Sequence, residues 1–406
     1  KMRVCLIIPP SPFLLDERVF VQLGILKIAS ALEEQNYTVD MIDLSGVENY
    51  TDVLTDYTKR KDRADVFGIT ATTPQVPYAV KISQHIKALL PAKQSKVILG
   101  GPHVTLMHTA AKREAKKNLV GSDRATKDVE ALKSFFDVLV CGDGEIAIFD
   151  AIHEDMKIID ADIAKSKYFL SHKQFTDLPA PARHLVDMKS YKYFIEGEPA
   201  LSLIAQLGCP FHCTFCSGRN SPFLRKIRLR DIDAVVDEVE MLYLTYGVKG
   251  FMFYDDELNV NKNMVPMMNK LCDLQDKHGV DFMLRGFVKA ELFNDEQADA
   301  MYRAGFRWLL TGFESGDPTI LSNIKKIATR DDNTRCVNIA KRHNLKVKAL
   351  MSIGHAGESL ESVENTKNWI LESEPEDFDC TIITTYPGSP YFDDAIKEND
   401  FLSVYK

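Results

Sequence analysis

Over roughly the first 150 residues, short unbroken apolar runs alternate with stretches in which apolar positions recur every three or four residues. The runs are Arg3–Ile8, Thr38–Leu44, Asp65–Thr70, Lys96–Leu99 and Asp137–Cys141. Helical spacing falls between them, over Leu23–Leu32 and Val76–Leu90. Runs without polar alternation suit strands buried on both faces. Strands alternating with helices predict a doubly wound, Rossmann-like parallel sheet with right-handed crossovers. From Ala200 the alternation resumes, with strands expected at 200–207, 250–257, 282–286, 308–316, 349–358 and 380–385 and a helix over Ile232–Tyr246. Some six βα units of this kind predict a partial (β/α)6, TIM-like barrel. The fold class expected is therefore α/β, with a first domain over 1–152, a linker over 153–198, a barrel over 199–392 and a tail over 393–406. Pro179, Pro181 and Tyr191-Lys192-Tyr193 mark the linker as irregular. The Lys-rich stretch Lys112–Lys133, broken at Gly121-Ser122-Asp123, reads as a solvated helix–loop–helix insertion.

Small and polar residues collect where four of the first five strands end: Pro9-Pro10, Thr70-Ala71-Thr72-Thr73, Gly100-Gly101-Pro102 and Gly142-Asp143-Gly144. Ligands of open α/β sheets bind along this edge, and glycine there admits a close backbone approach. A single such turn reads as an ordinary strand-to-helix connection; four on one edge read as a ligand platform.

Composition narrows the class. The 406 residues carry 50 Lys and Arg against 58 Asp and Glu, a formal charge of −8, without the basic excess of a nucleic-acid binder. No apolar run approaches the ~18 residues of a membrane span, and the start has no signal-peptide pattern, so a cytoplasmic protein is expected. Of eight cysteines, five stand singly, and Cys209, Cys213 and Cys216 share one short loop in a CxxxCxxC pattern. Three thiolates at this spacing can hold three corners of a [4Fe–4S] cubane, leaving one iron open. Zinc prefers four ligands and other spacings; His212 would be its only fourth candidate nearby.

CxxxCxxC with Phe215 before the last cysteine resembles the radical S-adenosylmethionine enzymes, a resemblance that covers nearly all of 199–390. It implies reductive cleavage of S-adenosylmethionine to a 5′-deoxyadenosyl radical. It also implies an electron donor such as flavodoxin or ferredoxin. As the resemblance has it, Tyr254 and the Asp255-Asp256 pair take the place of the motif that holds the amino group of S-adenosylmethionine. Arg285, on the next strand, is expected as a further contact to S-adenosylmethionine. Gly312-Phe313-Glu314-Ser315-Gly316 resembles the ribose-binding strand end, with Glu314 and Ser315 as polar contacts and Lys325-Lys326 downstream. Ser352 and Gly354 sit in the glycine-rich strand that would face adenine, where His355-Ala356 departs from the usual proline. Tyr386-Pro387-Gly388 is a family-like ending.

A doubly wound domain ahead of such a barrel resembles the cobalamin-binding branch of these enzymes, whose members often methylate unactivated carbon or phosphorus. That resemblance implies a cobalamin site lined by Pro9, Pro10, Leu23, Gly24, Thr70, Thr72, Thr73, Gly100, Gly101, Pro102, His103, Gly142, Gly144 and Glu145. No Asp-x-His-x-x-Gly is present in the chain, so the corrinoid is expected base-off, without that motif's histidine; His103 is the nearest substitute. The expected reaction is methyl transfer to a small-molecule or peptide substrate, without nucleic acid. A cyclase or oxidoreductase is the alternative. A transfer-RNA methylthiotransferase would need three more cluster cysteines in the first half, where only Cys5 and Cys141 stand. A non-catalytic iron–sulfur protein would have no use for Asp255-Asp256 and Glu314-Ser315.

Overall fold

The computed structural model describes residues 2–117, 123–386 and 388–397, so Gly121, Ser122 and Pro387 lie outside the described residues. The chain divides into two compact units. One runs through Lys192 and includes Asn220–Leu224 and Phe392 onward; the other comprises Tyr193–Arg219 and Arg225–Tyr391.

In the first unit six strands, β1 (Arg3–Ile8), β2 (Thr38–Asp43), β3 (Val66–Thr70), β4 (Lys96–Gly100), β5 (Val138–Gly142) and β6 (Ile158–Ala161), form one sheet. Its order is β2-β1-β3-β4-β5-β6 and every pairing is parallel. The unbroken apolar run of β1 has a direct cause in this layering. Val4, Leu6 and Ile8 enter one core with Ile25, Ala29 and Leu32 of α1 (Leu23–Glu34) and Ala147 and Ile148 of α6 (Gly144–His153). Cys5 and Ile7 enter the opposite core, with Leu54 of α2 (Tyr50–Thr58), Ile82 and Ile86 of α3 (Val76–Leu89), Val104 of α4 (Pro102–Lys117) and Val129 and Leu132 of α5 (Arg124–Phe135).

Two sequence expectations change here. The stretch 153–198 is not simply a linker: it supplies β6, paired with β5, and the short α7 (His172–Asp177). Four residues with a polar tail were too short to register as a periodic signal. The helices α4 and α5 are not a solvated insertion either. Ala125, Val129 and Leu132 are core, and the buried Glu114 carboxylate accepts from the Ala125 and Thr126 amides at 3.0 and 2.9 Å. That carboxylate satisfies amide donors that open α5.

The second unit holds a curled sheet. Its strands are β7 (Phe194–Ile195), β8 (Glu198–Leu203), β11 (Gly250–Phe253), β12 (Met283–Phe287), β13 (Phe306–Glu314), β14 (Lys346–Ile353) and β15 (Asp377–Ile382). The order is β15-β14-β13-β12-β11-β8-β7, parallel throughout except for the β7–β8 hairpin. Six parallel strands make the partial barrel. The intervening helices are α9 (Ile232–Tyr246), α10 (Met264–His278), α11 (Asp295–Ala304), α12 (Pro318–Asn323), α13 (Arg330–Arg342) and α14 (Leu360–Ser373). Between β8 and β11 lie a two-residue ribbon, β9 (Gln206–Leu207) with β10 (Arg228–Leu229), and the single turn α8 (Pro222–Arg225). The described chain ends in α15 (Pro390–Lys397). No helix among the described residues is long and apolar enough to cross a membrane.

Candidate functional site

The three cysteines sit where β8 gives way to the β9–β10 ribbon. The strand expected over 200–207 breaks after Leu203, because the Asp255 carboxylate takes the Ala205 and Gln206 amides at 3.1 and 2.5 Å. Arg230 holds the same bend by donating to the Ile204 carbonyl at 2.8 Å and pairing with Glu238 at 2.6 Å. At Gly208, φ is +90° and an added Cβ would lie 2.4 Å from the Lys226 carbonyl oxygen, so only glycine lets the loop start here.

Beyond it Cys209 and Cys213 are half-buried, Cys216 is exposed, and none is in a disulfide. No group of three His, Cys, Asp or Glu side chains among the described residues is already arranged around a single ion position. Burial raises Cys209 to about 11, so a metal taking this sulfur displaces a proton. Three soft donors on one loop fit an iron–sulfur cluster with an open corner. His212 does not complete a set of four, since both ring nitrogens face the Arg225 guanidinium at 2.8 and 3.0 Å.

Arg225 is a residue that sequence reasoning missed. Besides His212 it donates to the Pro210 carbonyl at 2.8 Å and the Arg219 carbonyl at 3.2 Å, so one side chain spans the cysteine loop. A lone arginine in a four-residue helix carries no motif that could have singled it out. Arg225→Ala is expected to lower the iron retained after reconstitution and desalting by at least about half, with little change in unfolding midpoint, because its lost bonds are partly exposed and worth ~1 kcal/mol each. Full iron retention in that variant would show that the loop holds its shape unaided.

The strand-end carboxylates divide by role. Asp255 is buried and committed to Ala205 and Gln206, so it shapes the loop rather than facing a ligand. Its neighbour Asp256 is exposed at the same strand end, as is Tyr254. Ser315, expected as a polar contact, is likewise buried: its hydroxyl meets Thr366 Oγ1 at 2.9 Å and accepts from the Asp317 amide at 3.0 Å. Arg285 stands mid-strand on β12, beside Met252 and Trp308.

Burial raises Asp255 and Glu257 to about 7. Both lie above their unfolded values, so between roughly pH 4 and 7 the folded chain binds more protons than the unfolded one. Stability therefore falls as pH rises through that window. Asp255→Asn is expected to flatten the decline, read as urea midpoints across it; an unchanged slope would count against Asp255 as the group responsible.

Glu314 is the centre of a buried network. Its φ is +65°, a conformation rare outside glycine and typical of strained functional positions. Its carboxylate accepts from Lys326 Nζ at 3.2 Å and from Ser352 Oγ at 2.8 Å. Ser352 Oγ also meets His355 Nε2 at 2.7 Å, and the His355 ring lies 5.5 Å from Phe215 and 6.1 Å from Tyr391. Phe215 packs on Ile320, Leu321 and Ile324. The Thr214 amide donates to the Ile324 carbonyl at 3.0 Å, which ties the cysteine loop to the end of α12. An added Cβ at Gly312 would sit 2.7 Å from Glu314 Oε1, so that glycine leaves room for the ion pair. Gly354, with φ +91°, is exposed where the strand ends, its amide donating to Glu358. Lys289 is buried and the Lys326 side chain is largely withdrawn from water; Lys289 Nζ lies 4.2 Å over the Phe211 ring, within the loop.

In the first unit the sheet order reverses between β1 and β3, and Pro9, Pro10 and Thr70–Thr73 flank that switch point. Thr72 and Gln75 close a capping box, and the buried Gln75 amide donates to the Pro9 carbonyl at 2.9 Å. The Thr-x-x-Gln spacing was the available signal for this bridge. Thr72, Thr73 and Pro102 are exposed on the edge, Leu23 is buried and Glu145 lies in the first turn of α6.

The glycines are not equivalent. Added Cβ atoms at Gly101 and Gly142 would lie 2.7 Å from the Ala71 and Asp162 amides, and one at Gly144 would lie 2.7 Å from Ile28 Cδ1, so these three serve internal packing. Gly100 has ordinary clearance, and Gly24, at the start of α1, opens onto free space. His103 is held between Thr73 Oγ1 at 3.0 Å and Asp128 Oδ2 at 3.1 Å. A ring with both nitrogens engaged fits a structural pin and not a cobalt ligand. An open edge at a switch point, rimmed by small residues, fits a flat corrinoid held without a histidine.

Comparison with known proteins agrees with both units. A model of the B12 binding domain matches residues 17–126 and a model of the radical SAM superfamily matches 203–370. An uncharacterized methyltransferase of Pyrococcus horikoshii is 26% identical over 99% of this chain and 85% of its own length. The anaerobic magnesium-protoporphyrin IX monomethyl ester cyclase of Rubrivivax gelatinosus is 24% identical over 92% of this chain, which spans 66% of that protein. Among solved structures, the radical S-adenosylmethionine methyltransferase TsrM of Kitasatospora setae, with cobalamin and a [4Fe–4S] cluster bound, shares the fold at TM-score 0.76 and 16% identity, over 98% of this chain and 78% of its own. The cobalamin-dependent radical enzyme OxsB gives TM-score 0.71 at 14% identity, over 99% of this chain and 56% of its own. The chain thus carries a B12 binding domain in its doubly wound unit, followed by a radical SAM domain in its cysteine-bearing partial barrel.

Proposed function

We propose that this protein is a cobalamin-dependent radical methyltransferase acting on an unactivated carbon of a small molecule. The observation that carries the reading is the presence on one chain of the Cys209–Cys213–Cys216 loop and a switch-point edge at which His103 is already engaged by Thr73 and Asp128. When bound, the cluster would supply the electron that cleaves the sulfonium of S-adenosylmethionine, and cobalamin would carry the transferable methyl group.

The chain's own residues have separate tasks. Cys209, Cys213 and Cys216 bind the irons, with Arg225 bracing their loop. Asp256 offers its carboxylate to the ammonium of S-adenosylmethionine. Glu314, held by Lys326 and Ser352, is oriented for the ribose hydroxyls, and Phe215 and His355 wall off water beside it. Thr72, Thr73, Gly24 and Pro102 form the open rim for the corrinoid. A flavodoxin- or ferredoxin-type protein is the proposed electron donor.

The test is anaerobic reconstitution with iron, sulfide and hydroxocobalamin, then reduction with S-adenosylmethionine labelled in its methyl group. Near-stoichiometric corrinoid after desalting, 5′-deoxyadenosine and labelled methyl in a small-molecule product would support the reading. Corrinoid loss would leave the first unit without its proposed task, and 5′-deoxyadenosine without methylated product would favour the cyclase-type outcome.

A further inference from the structure

Alternation along the second sheet separates two faces. Phe251, Phe253, Leu284, Leu309 and Val347 are buried, and the Phe251–Phe282–Tyr243 contacts place that side against α9. The other face carries, in register, Ser202, Met252, Arg285, Trp308 and Lys346. Phe287, Leu310 and Lys348 follow one step further along.

This face holds three cations, and two of them are matched. Lys346 pairs with Glu196 at 2.8 Å, and Lys348 pairs with Asp377 and Asp379 at 2.9 and 3.0 Å. Arg285 is different. No carboxylate among the described residues lies within 4.0 Å of it, and its buried Nε has no hydrogen-bond acceptor. The guanidinium lies 5.8 Å from the Trp308 ring and hydrogen-bonds with the Tyr193 phenol, while Tyr254 and Phe287 face each other nearby at 6.3 Å. Arginine cannot shed its charge, and a buried donor without an acceptor is costly, ~1–3 kcal/mol. The position therefore suits a ligand that supplies a planar pair of acceptors.

We infer that Arg285 is a specificity-determining residue that receives a carboxylate of the substrate, with Trp308 and Tyr193 beside the group it holds. The inference rests on the reading that this unit acts on a small molecule, and it deepens that reading to a class: monocarboxylates with an apolar or aromatic body. A single guanidinium forks onto a carboxylate in two parallel hydrogen bonds. A phosphate dianion would instead bring extra negative charge beside Asp377 and Asp379. Arg285 also sits four residues before Asp256 in the β11–β12 register, mid-strand rather than at the strand ends where the Glu314 network and the cysteine loop lie.

The experiment compares benzoate, indole-3-acetate and hexanoate with their primary amides, by ligand-observed NMR on the full chain reconstituted with iron and sulfide. At least one acid is expected to bind about tenfold more tightly than its amide. Arg285→Gln should abolish that preference and leave amide binding within twofold, with Arg285→Lys intermediate because it keeps the charge and loses the fork. Retention of S-adenosylmethionine in equilibrium dialysis should be unchanged in both variants. Equal binding of acids and amides, no binding of any acid, or loss of S-adenosylmethionine retention in Arg285→Gln would each overturn the assignment. An acid preference can fail while 5′-deoxyadenosine still forms, so failure here and failure of the radical reading are separable.

Discussion

Cys213→Ala, reconstituted anaerobically, is expected to fall from about four irons per chain to less than one and to lose the broad visible absorption of an iron–sulfur cluster. Formation of 5′-deoxyadenosine should drop by at least ~1000-fold, a barrier change of about 4 kcal/mol. The size of the effect follows from the donor set. The loop presents three thiols, and the three fully buried cysteines elsewhere cannot substitute. Cys5, Cys141 and Cys336 are buried in apolar cores, and burial pushes their thiols far from the thiolate form. Cys380, exposed on β15, is the control: Cys380→Ala should leave iron and activity unchanged. A Cys213→Ala protein that keeps its iron would mean that the cluster is held elsewhere.

The second large effect concerns the Glu314–Lys326 pair. Both side chains are largely withdrawn from water, at 16% and 6% exposure, so each depends on the other. Lys326→Met is expected to destabilise the second unit by ~3–5 kcal/mol, because it leaves the Glu314 carboxylate buried without its ammonium. Glu314→Gln should cost less, since Ser352 can still donate to the amide oxygen. The double variant Glu314→Gln/Lys326→Met removes both charges and should recover most of the lost stability, while S-adenosylmethionine affinity stays low in all three. Urea unfolding gives the first quantity and equilibrium dialysis the second. Additive losses in the double variant would mean that the two residues do not act as a pair.

The pair also shows the limit of the sequence. Glu314 stood out because it follows Gly312-Phe313 at a strand end, and in the structure its carboxylate accepts from Lys326 and Ser352. Ser315 is the next residue along, yet it is buried against Thr366. Successive residues leave a strand in opposite directions, and a bulge in the pairing of β13 with β14 between Gly312 and Glu314 sets which one faces the site. The same division separates exposed Asp256 from buried Asp255. Spacing locates a strand end to within a residue or two, whereas the direction of each side chain depends on the neighbouring strand.

What the sequence by itself determined is what local periodicity and local chemistry can carry. That comprises the two α/β layers, the parallel order implied by continuous apolar strands, and the cysteine loop, whose three donors lie within eight residues. Tertiary structure alone decided the rest. It made β6 a strand by pairing it with β5, turned α4 and α5 inward, and gave Gly101 and Gly142 a packing task at the edge of the sheet. It closed His103 between Thr73 and Asp128, brought Arg225 across the cysteine loop, and left the buried Arg285 Nε without an acceptor among the described residues. Each of these depends on contacts between residues that are distant along the chain or held by a turn, and no hydrophobic period records which polar groups will meet once both cores have closed.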